Sequence, residues 1–121
     1  MEATEERWTV RYEPASERLF ITAYGHATEG KSREAAELFK SALGSKTVEL
    51  VVELDEMTGY TSEARRVWQE TFSPVRAQLK RMVVIGTKVP AMVRMGATVV
   101  AAVSGIRIVF FGTLAEADQV R

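Results

Sequence analysis

The chain has 121 residues, balances 16 basic side chains against 16 acidic ones, and contains no cysteine. Hydrophobic residues at 46% and charged residues at 26% are the proportions of a folded protein, so extensive disorder, a disulfide-stapled scaffold and cysteine-based zinc, iron–sulfur or thiol chemistry are excluded. The length is that of one domain, commonly about 100–150 residues, and zero net charge argues against a whole surface built to bind polyanions.

Trp8, Val10 and Tyr12 alternate with Thr9, Arg11 and Glu13, the period-two signature of a half-buried strand. Pro14-Ala15-Ser16-Glu17 reads as a turn, with proline suited to its start. Residues 18–24 read as a second, antiparallel strand that Gly25-His26-Ala27-Thr28 breaks. A helix is predicted over Glu29–Leu43, with Ala35, Leu38, Phe39 and Ala42 as its apolar stripe and Gly44 as its stop. Val48, Leu50, Val52 and Leu54 share one face of a third strand, and Glu49, Val51 and Glu53 take the other. Asp55-Glu56-Met57-Thr58-Gly59-Tyr60 reads as a loop.

Ser62 is placed to cap the next helix by accepting a bond from its free N–H groups. Ala64, Val67, Trp68, Thr71, Phe72, Val75 and Leu79 keep helical spacing toward a core. Pro74 falls inside this pattern, where proline costs about 3 kcal/mol; either a kink or a restart at Ser73-Pro74 is expected. Residues 81–85 form a short apolar strand ended by Gly86. Residues 88–103 read as a helix closed by Ser104-Gly105, and residues 106–110 as the last strand. Thr113 caps a final helix starting near Leu114. The order β-β-α-β-α-β-α-β-α predicts an α/β fold with a single mixed β-sheet. An antiparallel hairpin opens it, β-α-β-α-β crossovers of parallel strands follow, and about four helices cover it.

The helix over residues 88–103 is the most informative element. Val89, Met92, Val93, Gly96, Val99, Val100 and Val103 form the stripe expected to face the core. The other side holds Ala91, Met95, Thr98 and Ala102, with Arg94 as its only charge after Lys88. A helix apolar nearly all round is buried on two sides or covered by a partner, and methionine suits adaptable binding surfaces. Three explanations stand open: a homodimer contact, a pocket for an apolar ligand, or a dock for a different protein.

Several segments carry a resemblance. They are Val10-Arg11-Tyr12-Glu13-Pro14, Gly25-His26-Ala27-Thr28, Val51-Val52-Glu53-Leu54-Asp55, Arg81-Met82-Val83-Val84-Ile85 and Ile106-Arg107-Ile108-Val109-Phe110. In these and in its order of elements the chain resembles the STAS superfamily, in its bacterial SpoIIAA-like branch, which is related to SEC14-type lipid-binding folds. The resemblance spans nearly the whole chain and implies one STAS-like domain over residues 1–121. It also implies a regulatory or binding role without a required cofactor. STAS antagonists carry a phosphorylatable serine in an Asp-Ser-Ser/Thr-Gly motif at the start of the second helix. The positional match is Thr61-Ser62-Glu63-Ala64, which makes Ser62 and Thr61 the candidate phosphoacceptors. Here Thr61 replaces the Asp, Glu63 a hydroxyl and Ala64 the Gly. A phosphate on Ser62 would meet free N–H groups and the helix dipole, with Arg65 and Arg66 within reach, while Glu63, Asp55 and Glu56 would repel it.

Catalytic constellations are missing from the sequence, and an enzyme is not expected. His26 is the single histidine, so two-His and three-His metal sites are impossible within one chain, and no nucleophile motif accompanies it. Glu53-Leu54-Asp55-Glu56 is the one carboxylate cluster of interest, and it reads as a solvated strand end. Gly86-Thr87-Lys88 lacks both the Walker spacing and the G-x-G-x-x-G fingerprint. No metal and no cofactor are called for. The basic residues of the second half lack interleaved aromatics apart from Trp68, so nucleic acid is not an expected partner.

The zero net charge is a sum of unlike halves. Residues 1–63 carry seven bases and thirteen acids, a net of −6, and residues 64–121 carry nine bases and three acids, a net of +6. Such asymmetry steers partners or aligns two copies, unless folding interleaves the halves. The candidate interaction surface is the apolar face of Ala91, Met95, Thr98 and Ala102 with a basic rim of Arg94, Arg65 and Arg66. Its expected partner is another protein or a second copy of the chain, acting on a regulatory module; the alternative is a small domain binding a lipid or other apolar ligand. The acidic start Met1-Glu2-Ala3-Thr4-Glu5-Glu6 has no following apolar run and does not read as a signal peptide. No stretch reaches the ~20 apolar residues that span a bilayer, so the cytoplasm is expected. Arginine outnumbers lysine and asparagine is absent, as in GC-rich bacteria.

Overall fold

A computed structural model describes residues 5–119; the opening Met1-Glu2-Ala3-Thr4 and the final Arg121 of the charge count lie outside them. The predicted hairpin forms from β1 (Arg7–Glu13) and β2 (Arg18–Ala27), paired antiparallel with Val10 opposite Ile21. Helix α1 (Glu29–Leu43) follows and ends at Gly44. Then come β3 (Val48–Glu53), β4 (Met57–Tyr60) and α2 (Ser62–Phe72). A 3-10 helix (Ser73–Gln78) leads into β5 (Leu79–Ile85). The chain closes with α3 (Ala91–Ser104), β6 (Ile108–Phe111) and α4 (Leu114–Asp118).

Among the described residues the strands form one six-stranded sheet in the order β1-β2-β3-β5-β6, with β4 paired to β2 off this path. All pairs after the hairpin are parallel. Each crossover steps the same way across the sheet, so connections of the usual right hand lay α1, α2 and α3 on one face. Leu19, Ile21, Leu50, Val52, Met82 and Val84 point into that larger core. Alternate residues Phe20, Val51 and Val83 point to the other face, where Ala117 of α4 covers them. The predicted division of the third strand, Val48, Leu50 and Val52 against Glu49, Val51 and Glu53, is the observed one.

Several expectations need correction. Met57-Thr58-Gly59-Tyr60 is strand, not loop. Gly59 weakens its strand signal, but β2 runs past the end of β3, through the predicted break to Ala27, and its spare edge takes β4 with a register shift at Gly25/His26. The pattern read through Pro74 ends at Phe72; the Ser73-Pro74 restart is the outcome, as a 3-10 helix with the proline in its first turn. Val75 therefore lies on that segment, and Leu79 opens β5. The last strand begins at Ile108 rather than 106. In α1 the buried stripe is Ser32, Ala35, Ala36, Phe39 and Leu43. That stripe leaves Leu38 off to one side, 55% exposed. Helix α3 begins at Ala91, not at 88, because Pro90 disfavours a helical Val89 before it and serves as the N-cap.

Candidate functional site

Helix α3 is apolar on two sides, and each side meets a different environment. Its inner face, Val93, Gly96, Val100 and Ala101, is buried against α2 and the sheet. Its outer face carries Met92 at 61%, Met95 at 52% and Val103 at 61% exposure, beside exposed Ala91, Thr98 and Ala102. Met92 and Val103 were expected in the core. Seen along the helix they sit a turn's fraction too far round from Val93 and Val100 to reach the sheet, so they enlarge the outer apolar face instead. Arg94, at its edge, lays its guanidinium over the Phe110 ring, 4.5 Å from the centroid, so this charge is held against β6.

The inner side of α3 does not pack solidly. Between α3, α2 and the sheet lies a cavity of about 80 Å³. Ile21, Val52 and Met82 form its floor, Val93, Gly96, Ala97 and Val100 its α3 wall, and Ala64, Arg65, Trp68 and Phe72 its α2 wall. Trp8 and Tyr60 also line it. Small residues on α3 create this space. At Gly96 an added Cβ would lie 2.6 Å from the Tyr60 ring, so glycine is what lets that ring lie against the helix. The rings of the aromatic wall touch at a tilt: Trp8 and Trp68 have centroids 5.1 Å apart at 36°, and Trp68 and Phe72 5.4 Å apart at 39°.

Two buried polar atoms belong to residues of this lining without opening onto the apolar space. Trp68 Nε1 and Arg65 Nε are buried and have no hydrogen-bond partner among the described residues. Trp8, by contrast, donates its indole N–H to Glu6 Oε2 at 2.9 Å. Arg65 was expected on a surface rim with Arg66. Arg66 is exposed, but Arg65 is half-buried and belongs to the cavity wall.

The candidate phosphoacceptors part company. Thr61, not Ser62, caps α2: its Oγ1 accepts from Ala64 N at 3.0 Å. Ser62 is the first helical residue and is exposed. His26 is an exposed residue of β2 whose ring lies against Gly59. Of the carboxylates, Glu53 accepts from Thr22 Oγ1 at 3.0 Å. Asp55 accepts from the backbone N–H groups of Lys88 at 2.6 Å and Thr87 at 3.3 Å, bracing the turn before α3. No group of three His, Cys, Asp or Glu side chains converges as a metal site among the described residues. No described helix is long and apolar enough to cross a membrane.

Sequence reasoning missed an ionic cluster on the α4 side of the sheet. Arg18, Glu49 and Arg81 stand side by side on β2, β3 and β5, each more than nine-tenths buried. Glu49 accepts from Arg18 Nε at 2.8 Å and from Arg81 Nε at 2.7 Å, and Arg18 also bonds Asp118 of α4. Burial pushes the Glu49 carboxyl up, but the two guanidiniums together hold it below the usual carboxylate range. Burial likewise works against charge on Arg18, and its bonds to Glu49 and Asp118 outweigh it and raise its pKa. The available signal was a glutamate inside the apolar run Val48-Glu49-Leu50-Val51-Val52.

Solved structures share this architecture. An uncharacterized protein of the DUF3478 family from Shewanella loihica PV-4, with a SpoIIAA-like fold, superposes with a TM-score of 0.74 at 15% identity, over 99% of this chain and 96% of that one. The chain has a SpoIIAA-like fold. The anti-sigma factor antagonist SpoIIAA in its unphosphorylated form matches with a TM-score of 0.69 at 11% identity, over 95% and 96% of the two chains. No protein-family model matches the sequence, and no curated protein matches it either. The single mixed sheet with an opening antiparallel hairpin and about four helices, expected from the sequence, is thus that of the SpoIIAA-like fold.

Proposed function

We propose that this chain is a non-enzymatic regulatory module of the bacterial cytoplasm that acts by protein–protein contact, with the outer face of α3 as the contact surface and a second copy of the chain as its occupant. The observation that carries the reading is the exposure of Met92, Met95 and Val103 together on one helix face. Large apolar side chains grouped in this way mark interaction sites. Small neighbours, Ala91, Thr98 and Ala102, permit close approach of a second helix, and a two-fold axis would set each face on its own copy. That one structural neighbour is an anti-sigma factor antagonist supports a regulatory role.

Light scattering across a concentration series tests the reading. The wild type is expected to dimerise and Met95→Glu to remain monomeric with an unchanged melting temperature. A wild type that stays monomeric throughout, or a Met95→Glu dimer as tight as wild type, rejects the α3 contact. Ser62 stays in the proposal as the phosphoacceptor, because it is exposed while the Thr61 hydroxyl is committed to the cap. Mass spectrometry of protein from its native cells is expected to find the phosphate there; Ser62 unmodified under every growth condition removes it. A second reading, a small domain holding an apolar ligand, is favoured by the cavity beneath α3.

A further inference from the structure

We infer that the outer edge of β1 is a second self-contact surface: it pairs antiparallel with β1 of another copy of the chain, centred on Val10, and Leu38 of α1 meets its own counterpart above the seam. β1 lies at the end of the sheet away from β5 and β6, which α3 connects, so this contact goes beyond the α3 contact and stands apart from it.

The edge is open, and its free groups can be named. Among the described residues no strand pairs with the outer side of β1. Along a strand, successive residues turn their N–H and C=O groups to alternate sides. Glu49 N–H donates to Glu17 O at 3.1 Å, so Glu17, Leu19 and Ile21 serve the β3 side, and Arg18, Phe20, Thr22 and Tyr24 serve β1. Their partners in the register are Glu13, Arg11, Thr9 and Arg7. Trp8, Val10 and Tyr12 are therefore left with their N–H and C=O groups turned outward. Such groups template a further strand unless charge, proline or a bulge guards the edge. β1 contains no proline and its pairing with β2 has no bulge, so charge is its only guard.

The placement of those charges selects the occupant. A two-fold axis perpendicular to the sheet sets each face of β1 beside the same face of its copy, which restricts the registers to those centred on a residue. With Val10 opposite Val10, Arg7 faces Glu13 of the second copy and Trp8 faces its Tyr12, an opposite-charge pair and an aromatic pair on each side of the axis. Thr9 faces Arg11. Centring on Thr9 instead sets Arg7 against Arg11, and centring on Arg11 sets that arginine against itself, which like charge disfavours. In the Val10 register, outward-turned residues meet: Val10 exchanges both N–H···O bonds with its copy, and Trp8 does so with Tyr12.

Leu38 supplies an independent observation. It was expected on the core stripe of α1 and is 55% exposed. Lys31 and Ala42, two turns before it and one turn after it, share its helix face. Lys31 Nζ bonds Glu6 O, just before β1, at 3.3 Å. Ala42 O accepts from Lys46, whose ammonium lies 5.0 Å from the centroid of the Tyr12 ring of β1. Leu38 therefore lies on the flank of α1 that overlooks the β1 edge, and a second copy paired there covers both leucines. The seven residues of β1 span about 24 Å. An edge of that length makes a contact of the weak class, below ~1,200 Å². It leaves Met95→Glu monomeric in light scattering and joins copies already brought together at α3.

Disulfide trapping tests the register, because the chain has no cysteine of its own. Thr9→Cys and Arg11→Cys, each made in a Met95→Glu background that removes the α3 contact, are mixed in equal amounts and oxidised with diamide. Intact mass spectrometry then resolves the mixed disulfide from the two symmetric ones. Thr9 and Arg11 are exposed, and in the Val10 register they form a non-hydrogen-bonded pair with Cα atoms about 4.5 Å apart, within disulfide reach. Random collision gives twice as much mixed product as either symmetric one, and the contact is expected to raise that ratio to tenfold or more. Val10→Pro removes an outward N–H and spares the bonds to β2; it should return the ratio to the random value. Leu38→Glu should lower the ratio at least threefold with an unchanged melting temperature. A random ratio in the parent pair, or a raised ratio that neither variant lowers, overturns the β1 contact. The α3 reading survives either result, since light scattering of the wild type decides it.

Discussion

Replacing Glu49 by glutamine changes one atom of the side chain and removes the carboxylate charge that bonds two buried guanidiniums. Arg18, Glu49 and Arg81 are 4%, 5% and 7% exposed, so water cannot take over the role of the carboxylate. Breaking a buried ion pair by neutralising one partner costs about 3–5 kcal/mol, because the other charge is left uncompensated. Arg18 keeps Asp118, whose side chain is 52% exposed, and the penalty is shared by the two guanidiniums that bond Glu49. For a chain of this length about 4 °C of melting temperature corresponds to each kcal/mol, which predicts a fall of roughly 12–20 °C at neutral pH, followed by circular dichroism. The triple replacement of Arg18, Glu49 and Arg81 by methionine is expected to restore most of that loss, since apolar isosteres often match buried ion pairs. The acid limb follows from the direction of the Glu49 shift. Its folded-state pKa lies below its unfolded value, so between the two the unfolded chain binds more protons and stability rises with pH. The contribution is complete above the ordinary carboxylate value of about 4.3 and is lost as pH falls from there through the lower folded value. Wild type and Glu49→Gln should therefore converge in stability at acid pH. A melting temperature for Glu49→Gln within about 3 °C of wild type at neutral pH, less than 1 kcal/mol by the same conversion, would refute the buried-counterion argument.

Other variants test the remaining elements. Thr61→Ala should cost about 1 kcal/mol by loss of the α2 cap, whereas Ser62→Ala should stay within about 0.5 kcal/mol, both read from urea unfolding. Gly86→Ala would set a Cβ 2.5 Å from Asp55 Oδ1 at a backbone φ of 154°, and should cost about 1–3 kcal/mol with loss of amide protection at Thr87 and Lys88. Ala97→Leu, which adds bulk at the cavity wall, is expected to move the Trp68 indole signal in nitrogen-15 NMR without altering dimer formation.

The main sheet was legible because its strands obey alternation and its helices carry clear stops, such as Gly44 after Leu43. What escaped depends on distance in three dimensions. Strand β4 exists because β2 outruns β3, and nothing in Met57-Thr58-Gly59-Tyr60 states that overhang. The α3 stripe was read too wide along one edge: periodicity marks Met92 and Val103 as apolar, but the angle at which α3 lies on the sheet decides whether they touch it. Arg65 looked like a surface base because its neighbours in sequence are charged, and only the packing of α2 on α3 turns its Nε inward. Glu49 was counted among the acids without notice, since its partners lie 31 and 32 residues away in the chain.

The charge split acquires a structural meaning through Glu49. The acidic and basic halves of the sequence do not form two opposed surfaces. They meet inside the fold, where Glu49 of the first half binds Arg81 of the second and Arg18 of the first binds Asp118 of the second. Lys80 and Glu17 make a further exposed contact between the halves. These pairings occupy the α4 side of the sheet and leave α3, on the opposite side, with one charge in its whole length. A helix so depleted of charge can solvate neither of its faces well. One face borders an apolar cavity, and the other exposes methionines and a valine that call for cover. Both candidate sites thus arise from a single property of α3, and variants on its two faces can separate them because Met95 and Ala97 point to opposite sides of the same helix.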